Sequence, residues 1–310
     1  MDELAGGIRR ITSPLPMELD HVHCYLLPGT DGWTLVDTGF GAPGLVDRWR
    51  DHLVELSEPV ARIVITHFHP DHVGGARDAA EATGAPVFQG AVDYEQCERV
   101  WGSDWGARLD RWFALHGAPP DVADGLREAG EAMQPFIHYV RDPELLHAGD
   151  TVDGWLVAEF PGHADGHICL LADGVLIAGD HLLQKISPTV GLYPDARPDP
   201  LGDYLASLER TIELAPRVAF PGHGDPIDDP VGRAEELLDH HRRRLDETEA
   251  LLGARPLSGY ELSLALFPDA GRPIQRRFAF AETLSHLERL VLEGRAARAD
   301  NGGSLSYTAP

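Results

Sequence analysis

The segment Thr66-His67-Phe68-His69-Pro70-Asp71-His72 places three histidines and an aspartate within six residues, directly after the apolar run Ile63-Val64-Ile65. Side chains two apart on an extended chain share a face. A strand running into a tight turn therefore points His67 and His69 to one side, while the turn brings Asp71 and His72 to the other side of the same small space. Neutral imidazole and carboxylate are donors that suit zinc or another first-row divalent ion. Histidine, with an ordinary pKa of about 6.5, has no reason to cluster for solubility. Buried together without a cation, these groups would repel one another or pack poorly. Three further sites share a setting: His163 in Phe160-Pro161-Gly162-His163, Asp180 in Ile177-Ala178-Gly179-Asp180 and His223 in Phe220-Pro221-Gly222-His223-Gly224. Each follows an apolar strand that ends at a glycine turn, the position from which loops at one sheet edge can converge.

The elements that must position these residues can be read from periodicity. Short β-branched or apolar runs separated by Gly, Asp and Pro turns predict strands over 23–27, 34–37 and 62–66, with helices over 43–56 and 73–82 between and after them. Strand signals return over 151–160, 167–171 and 175–178, the last two joined by Ala172-Asp173-Gly174. A helix over 201–214 and a strand over 218–220 lead to His223. Between these blocks, about 93–143 is polar and Ala/Glu/Arg-rich, with Trp101, Trp105 and Trp112 at helical spacing, and reads as a helical insertion. After Pro230 a long amphipathic helix to about 252, helices over 258–266 and 276–293 and a hairpin around Asn301-Gly302-Gly303 suggest a winged-helix-like module. The expected organisation is a catalytic domain over 1–228, with its insertion at about 93–143, followed by the module over 229–310.

With 310 residues, 43% hydrophobic and 25% charged, the chain can bury a sizeable core and disorder is excluded as its main state. Twenty-six basic residues against fifty acidic ones leave a formal net charge of −24, which disfavours a broad phosphate-binding surface and hence long nucleic acid. No apolar stretch approaches a membrane span, and the start MDELAGGIRR carries acidic residues where a secretory signal would be basic. A soluble, cytoplasmic protein is expected. Cys24, Cys97 and Cys169 are too scattered for a disulfide framework and suit a reducing compartment.

In the order H-x-H-x-D-H, glycine-flanked histidine, aspartate and final histidine, the chain resembles the metallo-β-lactamase-fold hydrolases over about residues 8–226. The resemblance implies an α/β fold, the four-layer αββα sandwich, with a two-metal centre at one edge. It places His67, His69 and His163 on the first metal, Asp71, His72 and His223 on the second, and Asp180 as a bridge between them. Two divalent ions, zinc first with manganese or iron as alternatives, would share a water and lower its pKa enough to supply a bridging hydroxide. Asp71 would orient that nucleophile as well as ligate, which makes it the catalytic residue. The arrangement looks like the glyoxalase II-type branch, implying a small thioester or ester as substrate. A phosphodiesterase or endoribonuclease of the β-lactamase-like type and a lactonase are the alternatives, and a mononuclear iron persulfide-type dioxygenase is a third. The nuclease reading needs a basic track, for which Arg242 to Arg244 and Arg276-Arg277 could supply fragments.

Other polar residues carry two readings each. Asp37 in Val36-Asp37-Thr38-Gly39 either orients the histidine loop by hydrogen bonding or stabilises its own turn. His167 and His181 are placed beside the ligands or simply exposed on loops. His21, His23, His240 and His241 read as structural or exposed, with His240-His241 on a charged, solvated helix face. Lys185, the chain's single lysine, reads as a surface residue ahead of a contact to a substrate anion. The tryptophan stripe reads as helix packing, and a substrate lid is the alternative.

Overall fold

The computed structural model describes residues 1–16, 19–102, 105–194 and 196–310. In chain order the first strands are β1 (Asp2–Glu3), β2 (Arg9–Pro14), β3 (His21–Pro28) and β4 (Trp33–Val36), followed by α1 (Leu45–Val54) and β5 (Val60–Ile65). Helices α2 (Pro70–Val73) and α3 (Ala76–Thr83), strand β6 (Val87–Gly90) and helices α4 (Ala91–Trp101), α5 (Gly106–Leu115) and α6 (Pro120–Glu131) come next. The chain returns through β7 (Glu144–Leu146), β8 (Thr151–Val152), β9 (Trp155–Glu159), β10 (Ile168–Ala172) and β11 (Val175–Gly179), then α7 (Pro200–Leu214) and β12 (Val218–Pro221). It closes with α8 (Pro230–Ala250), α9 (Gly259–Leu266), α10 (Pro273–Leu292) and the hairpin β13 (Ala297–Asp300) and β14 (Leu305–Thr308). No helix among the described residues is long and apolar enough to cross a membrane.

These elements form two compact units. The first comprises Met1–Glu98, Met133–Pro188 and Ala215–Pro230, and the second Arg99–Ala132, Thr189–Leu214 and Val231–Pro310. In the first unit a seven-stranded sheet runs β1-β2-β3-β4-β5-β6-β7 and a five-stranded sheet runs β12-β11-β10-β9-β8. Tyr25, Leu27, Val36 and Val64 from one sheet and Val157, Leu170, Ile177 and Phe220 from the other form one buried core. That is the mixed α/β sandwich the resemblance implies, and its apolar alternation is what specifies strand register. Strand β5 pairs in parallel with β4 and β6, and β11 pairs in parallel with β12. The stretch 151–160, read as one strand, is broken by a turn at Asp153, whose φ is 49° and whose carboxylate accepts from Thr34 Oγ1 at 2.6 Å and pairs with Arg62. Strands β1, β2, β6 and β7 were not legible, because they are short or interrupted by arginine and glutamate.

In the second unit, Ser258 caps α9: its hydroxyl accepts from Glu261 N–H while the Glu261 carboxylate accepts from Ser258 N–H at 2.8 Å. The expectation of a solvated His240-His241 face is corrected by α8. His241 is 0% exposed and lies on the buried stripe Ala234, Leu237, His241, Leu245 and Thr248, a spacing of three and four that defines one helix face. Its Nδ1 is 3.3 Å from Nε2 of His286. Burial pushes the His241 pKa down to about 2 and that of His286 down to about 4. Both are neutral in the folded chain, so their contribution to stability is fully present above the ordinary value of 6.5. It is lost progressively as pH falls below that value toward the folded pKa, because only the unfolded chain then takes up the protons. The melting temperature should therefore fall between about pH 7 and pH 5, and His241→Leu should make that slope shallower. An unchanged slope in a thermal melt series would show that the buried pair carries none of it.

Candidate metal centre

Four strands of the first unit end at the same edge and hand over to the loops that carry the candidate ligands: β5 to His67 and His69, β9 to His163, β11 to Asp180 and β12 to His223. Pro70 opens the one-turn helix α2 immediately after His69, a position where its missing N–H costs no hydrogen bond. The turn that places Asp71 and His72 is thus helical. His67 and His72 are 0% exposed, and Asp180 and His223 are also buried.

The donor atoms converge. Nδ1 of His69 lies 3.1 Å from Nε2 of His67 and 2.8 Å from Nε2 of His163. Nε2 of His223 lies 3.2 Å from Asp71 Oδ2 and 3.3 Å from Asp180 Oδ2. Nε2 of His72 is 3.4 Å from Asp180 Oδ1. Among the described residues three sets emerge, each with its ligand atoms within 4.8 Å of one another: His67, His69 and His163; His67, His72 and Asp180; and Asp71, His72 and His223. The first and last are the two triads that the resemblance implies, and the middle set joins them through Asp180. Nε2 of His72, Nε2 of His223 and Oδ1 of Asp180 are buried with no hydrogen-bond partner. Orphaned buried donors and acceptors are costly, and nitrogen and carboxylate donors collected in this way fit divalent cations.

Electrostatics point the same way. Burial, reinforced by neighbouring imidazoles, holds His67 well below its ordinary pKa, and burial pushes His69 down to about 3, so both present lone pairs at neutral pH. His223 behaves oppositely: burial disfavours its charge, yet the Asp180 and Asp71 carboxylates raise it to about 10. His72 is likewise raised against its burial, by Asp180, Asp37 and Asp71. The carboxylate side of the cluster calls for positive charge, which a cation would supply in exchange for those protons.

Groups behind the cluster set ring orientation. Asp37 Oδ2 is 2.8 Å from His72 Nδ1, while Oδ1 accepts from Thr66 N–H at 2.8 Å. This supports the orienting reading of Asp37 over the turn reading. His223 Nδ1 donates to the His21 carbonyl at 2.6 Å, leaving Nε2 toward the cluster. His167 is 0% exposed, stacks on His67 with centroids 4.8 Å apart and accepts from Asp180 N–H at 3.1 Å. It therefore positions Asp180 through its backbone. His181 is 0% exposed against Phe160, so neither histidine is a loop surface. His23 is buried and its Nε2 meets the Gly224 carbonyl at 2.8 Å, the structural role expected. Lys185 is a surface residue, 3.4 Å from Asp225. At Gly222 a Cβ would come within 2.4 Å of Asp180 Oδ1 and 2.7 Å of His72 Cε1, so only glycine lets this loop approach the cluster.

Sequence reasoning missed Asp93. It is 0% exposed, accepts from Phe68 N–H at 3.0 Å and from Gln89 Nε2 at 2.6 Å, and so pins the backbone between His67 and His69. Burial pushes its pKa well up. An aspartate at a helix start is too ordinary a signal to have singled it out.

Fold and cluster together define a sandwich-edge metal site. The chain belongs to the metallo-beta-lactamase superfamily, whose family model matches residues 17–223. A second model, the metallo-beta-lactamase-like C-terminal domain, matches residues 245–309. The chain is 30% identical to the probable metallo-hydrolase YqjP of Bacillus subtilis, over 91% of this chain and 92% of that one. A crystal structure of a metallo-beta-lactamase family protein from Thermus thermophilus superposes with a TM-score of 0.86 at 39% identity, covering 98% of this chain and 99% of that one. Another, described as a di-iron-bound form, matches at 25% identity with a TM-score of 0.51, covering 71% of this chain and 96% of that one.

Proposed function

We propose that the protein is a dinuclear metal-dependent hydrolase acting on a small thioester or ester. The observation that carries this reading is the convergence of two three-donor sets joined through Asp180. His67, His69 and His163 would hold one cation, Asp71, His72 and His223 the other, and Asp180 both. Bound there, two divalent ions would supply an acidified water and an electrophile for the oxygen on which charge develops. The Asp71 side chain retains 14% exposure, so its carboxylate is placed to accept a proton from water and to orient it. Asp37 and the His21 carbonyl hold the His72 and His223 rings in one tautomer, so no reorganisation is needed when substrate arrives.

An acyl substrate is favoured over a phosphodiester by the arginines. Arg276 donates to the carbonyls of Ser263 and Phe267, both at 2.9 Å, and Arg277 is only 7% exposed. Arg242 pairs with Asp239 and Arg244 with Glu247. The basic track needed for RNA phosphates is therefore not offered by these residues. The presence of Asp71, His72 and His223 in one set favours two ions over a single iron, and the di-iron neighbour supports a two-metal reading. Elemental analysis of purified protein should find two zinc or manganese ions per chain rather than one iron. Acyl-thioesters should be turned over with kcat/KM about 100-fold or more above bis-p-nitrophenyl phosphate and short RNA, with lactones in the same panel. Preferential cleavage of the phosphodiesters would reverse the substrate assignment.

A further inference from the structure

Alternate residues of β3, in the seven-stranded sheet, reach the loop that follows β12, in the five-stranded sheet. Tyr25 donates its hydroxyl to the Pro221 carbonyl at 2.6 Å, and His23 N–H donates to the Gly222 carbonyl at 2.7 Å. The His21 carbonyl accepts from His223 Nδ1 at 2.6 Å. Residues two apart on a strand share a face, so His21, His23 and Tyr25 meet the loop as one row. Gly222 N–H in turn donates to the Gly179 carbonyl at 2.7 Å, one residue before Asp180. The segment from Pro221 to Gly224 is thus fastened residue by residue around the ligand it carries.

Both imidazoles of that row take hold of a single residue, Gly224. Its N–H donates to His21 Nε2 at 3.1 Å, and its carbonyl lies 2.8 Å from His23 Nε2. The same ring position must therefore accept in one histidine and donate in the other. Their remaining nitrogens agree. His21 Nδ1 is 2.5 Å from Asp20 Oδ1, a carboxylate that accepts, and His23 Nδ1 is 3.1 Å from the Thr12 hydroxyl, which can donate. The bond made at one ring nitrogen sets the proton on the other, so His21 is held as the Nδ1–H tautomer and His23 as the Nε2–H tautomer. The rings lie 4.6 Å apart, and His23 is only 4% exposed, which strengthens its bonds relative to water.

We propose that His21 and His23 are positioning residues for the second metal ion: their opposite tautomers clasp the N–H and the carbonyl of Gly224 and so hold His223 with Nε2 toward Asp71 and His72. The proposal rests on the two-metal reading above and is independent of the substrate. Two donors of the set Asp71, His72 and His223 come from the loop after β5, in the seven-stranded sheet, and the third from the loop after β12, in the five-stranded sheet. Ligation therefore needs the two sheet edges held at one separation, and the clasp supplies that link at the residue next to the ligand. A His223 ring free to turn would present Nε2 for only part of the time, and affinity falls by that fraction. His163 completes the other set from a different loop, after β9, so the effect should fall on one ion.

Two measurements on the full-length protein test this. Long-range proton–nitrogen correlation spectra of the parent at about pH 7.5, with and without zinc, should show His21 protonated at Nδ1 and His23 at Nε2. The same tautomer in both rings would overturn the proposal. Zinc titrations in competition with a chromophoric chelator read the two binding steps. His21→Leu and His23→Leu should each weaken one step about tenfold or more and leave the other within about threefold. His21→Gln, whose Oε1 can accept from the Gly224 N–H, and His23→Gln, whose Nε2 can donate to the Gly224 carbonyl, should recover most of the loss. Parent affinities in the Leu variants, equal weakening of both steps, or no recovery in the Gln variants would each overturn the assignment, because packing alone would loosen both ions and would not be restored by a hydrogen-bonding replacement. If the buried His23→Leu fails to fold, His21, with its side chain 32% exposed, and the parent spectra still decide. A parent that binds one ion only would sink the two-metal reading separately; the clasp then stands if the Leu substitutions weaken that single step and falls if they leave it unchanged.

Discussion

His69→Ala should lose bound metal and turnover together, whereas Asp71→Ala should keep one ion and still lose turnover. The asymmetry comes from the geometry. His69 Nδ1 is the atom that His67 and His163 both approach, at 3.1 Å and 2.8 Å, so removing it opens the set that holds no carboxylate. Asp71 belongs only to the set with His72 and His223, and its removal leaves the three-histidine set complete. Each substitution should lower kcat/KM by on the order of 10³-fold, about 4 kcal/mol of transition-state stabilisation. Metal content by elemental analysis separates the two: near zero for His69→Ala and about one ion per chain for Asp71→Ala. Full activity in either variant would reject the ligand assignment.

The second large effect is expected at a residue that touches no substrate. Asp37 is 2% exposed and its two oxygens serve Thr66 N–H, Thr66 Oγ1 and His72 Nδ1, all within 3.0 Å. Asp37→Ala strips all of these partners at once and leaves a buried imidazole without the carboxylate that fixes its tautomer. Breaking such a buried pair costs about 3–5 kcal/mol of stability, and losing a group behind a metal ligand lowers metal affinity by about 10–100-fold. Asp37→Asn keeps the shape and offers Thr66 an acceptor, so it should recover most of the stability while its metal affinity stays low. Equilibrium unfolding and metal competition titrations read the two quantities separately. If Asp37→Asn recovers both, the carboxylate acts only by filling space, and the orienting role fails.

The two effects differ in how far they can be anticipated. His69 stands in a seven-residue run whose composition alone signals cation chemistry. Asp37 stands in Val36-Asp37-Thr38-Gly39, which reads equally well as an ordinary turn, because its partner His72 is 35 residues away. Only the parallel pairing of β4 with β5 brings the ends of the two strands side by side. Asp93 was invisible for the same reason: its contact with Phe68 spans 25 residues. His241 shows the opposite error. Its charged neighbours dominate the local composition, yet the three-and-four spacing of Ala234, Leu237, Leu245 and Thr248 places it on the buried stripe, and that spacing was available to be read.

Sheet layers covered by helices and the donor types follow from residue identity and short-range periodicity, since side-chain direction repeats every two residues on a strand and every 3.6 on a helix, whereas the four-layer sandwich came with the resemblance carried by the H-x-H-x-D-H run. Tertiary structure alone decided which carboxylate fixes which ring, that Asp93 pins the backbone between His67 and His69, and that the face of α8 carrying His241 is buried. Those facts depend on strand order and on contacts between residues distant along the chain, and local pattern carries no record of either.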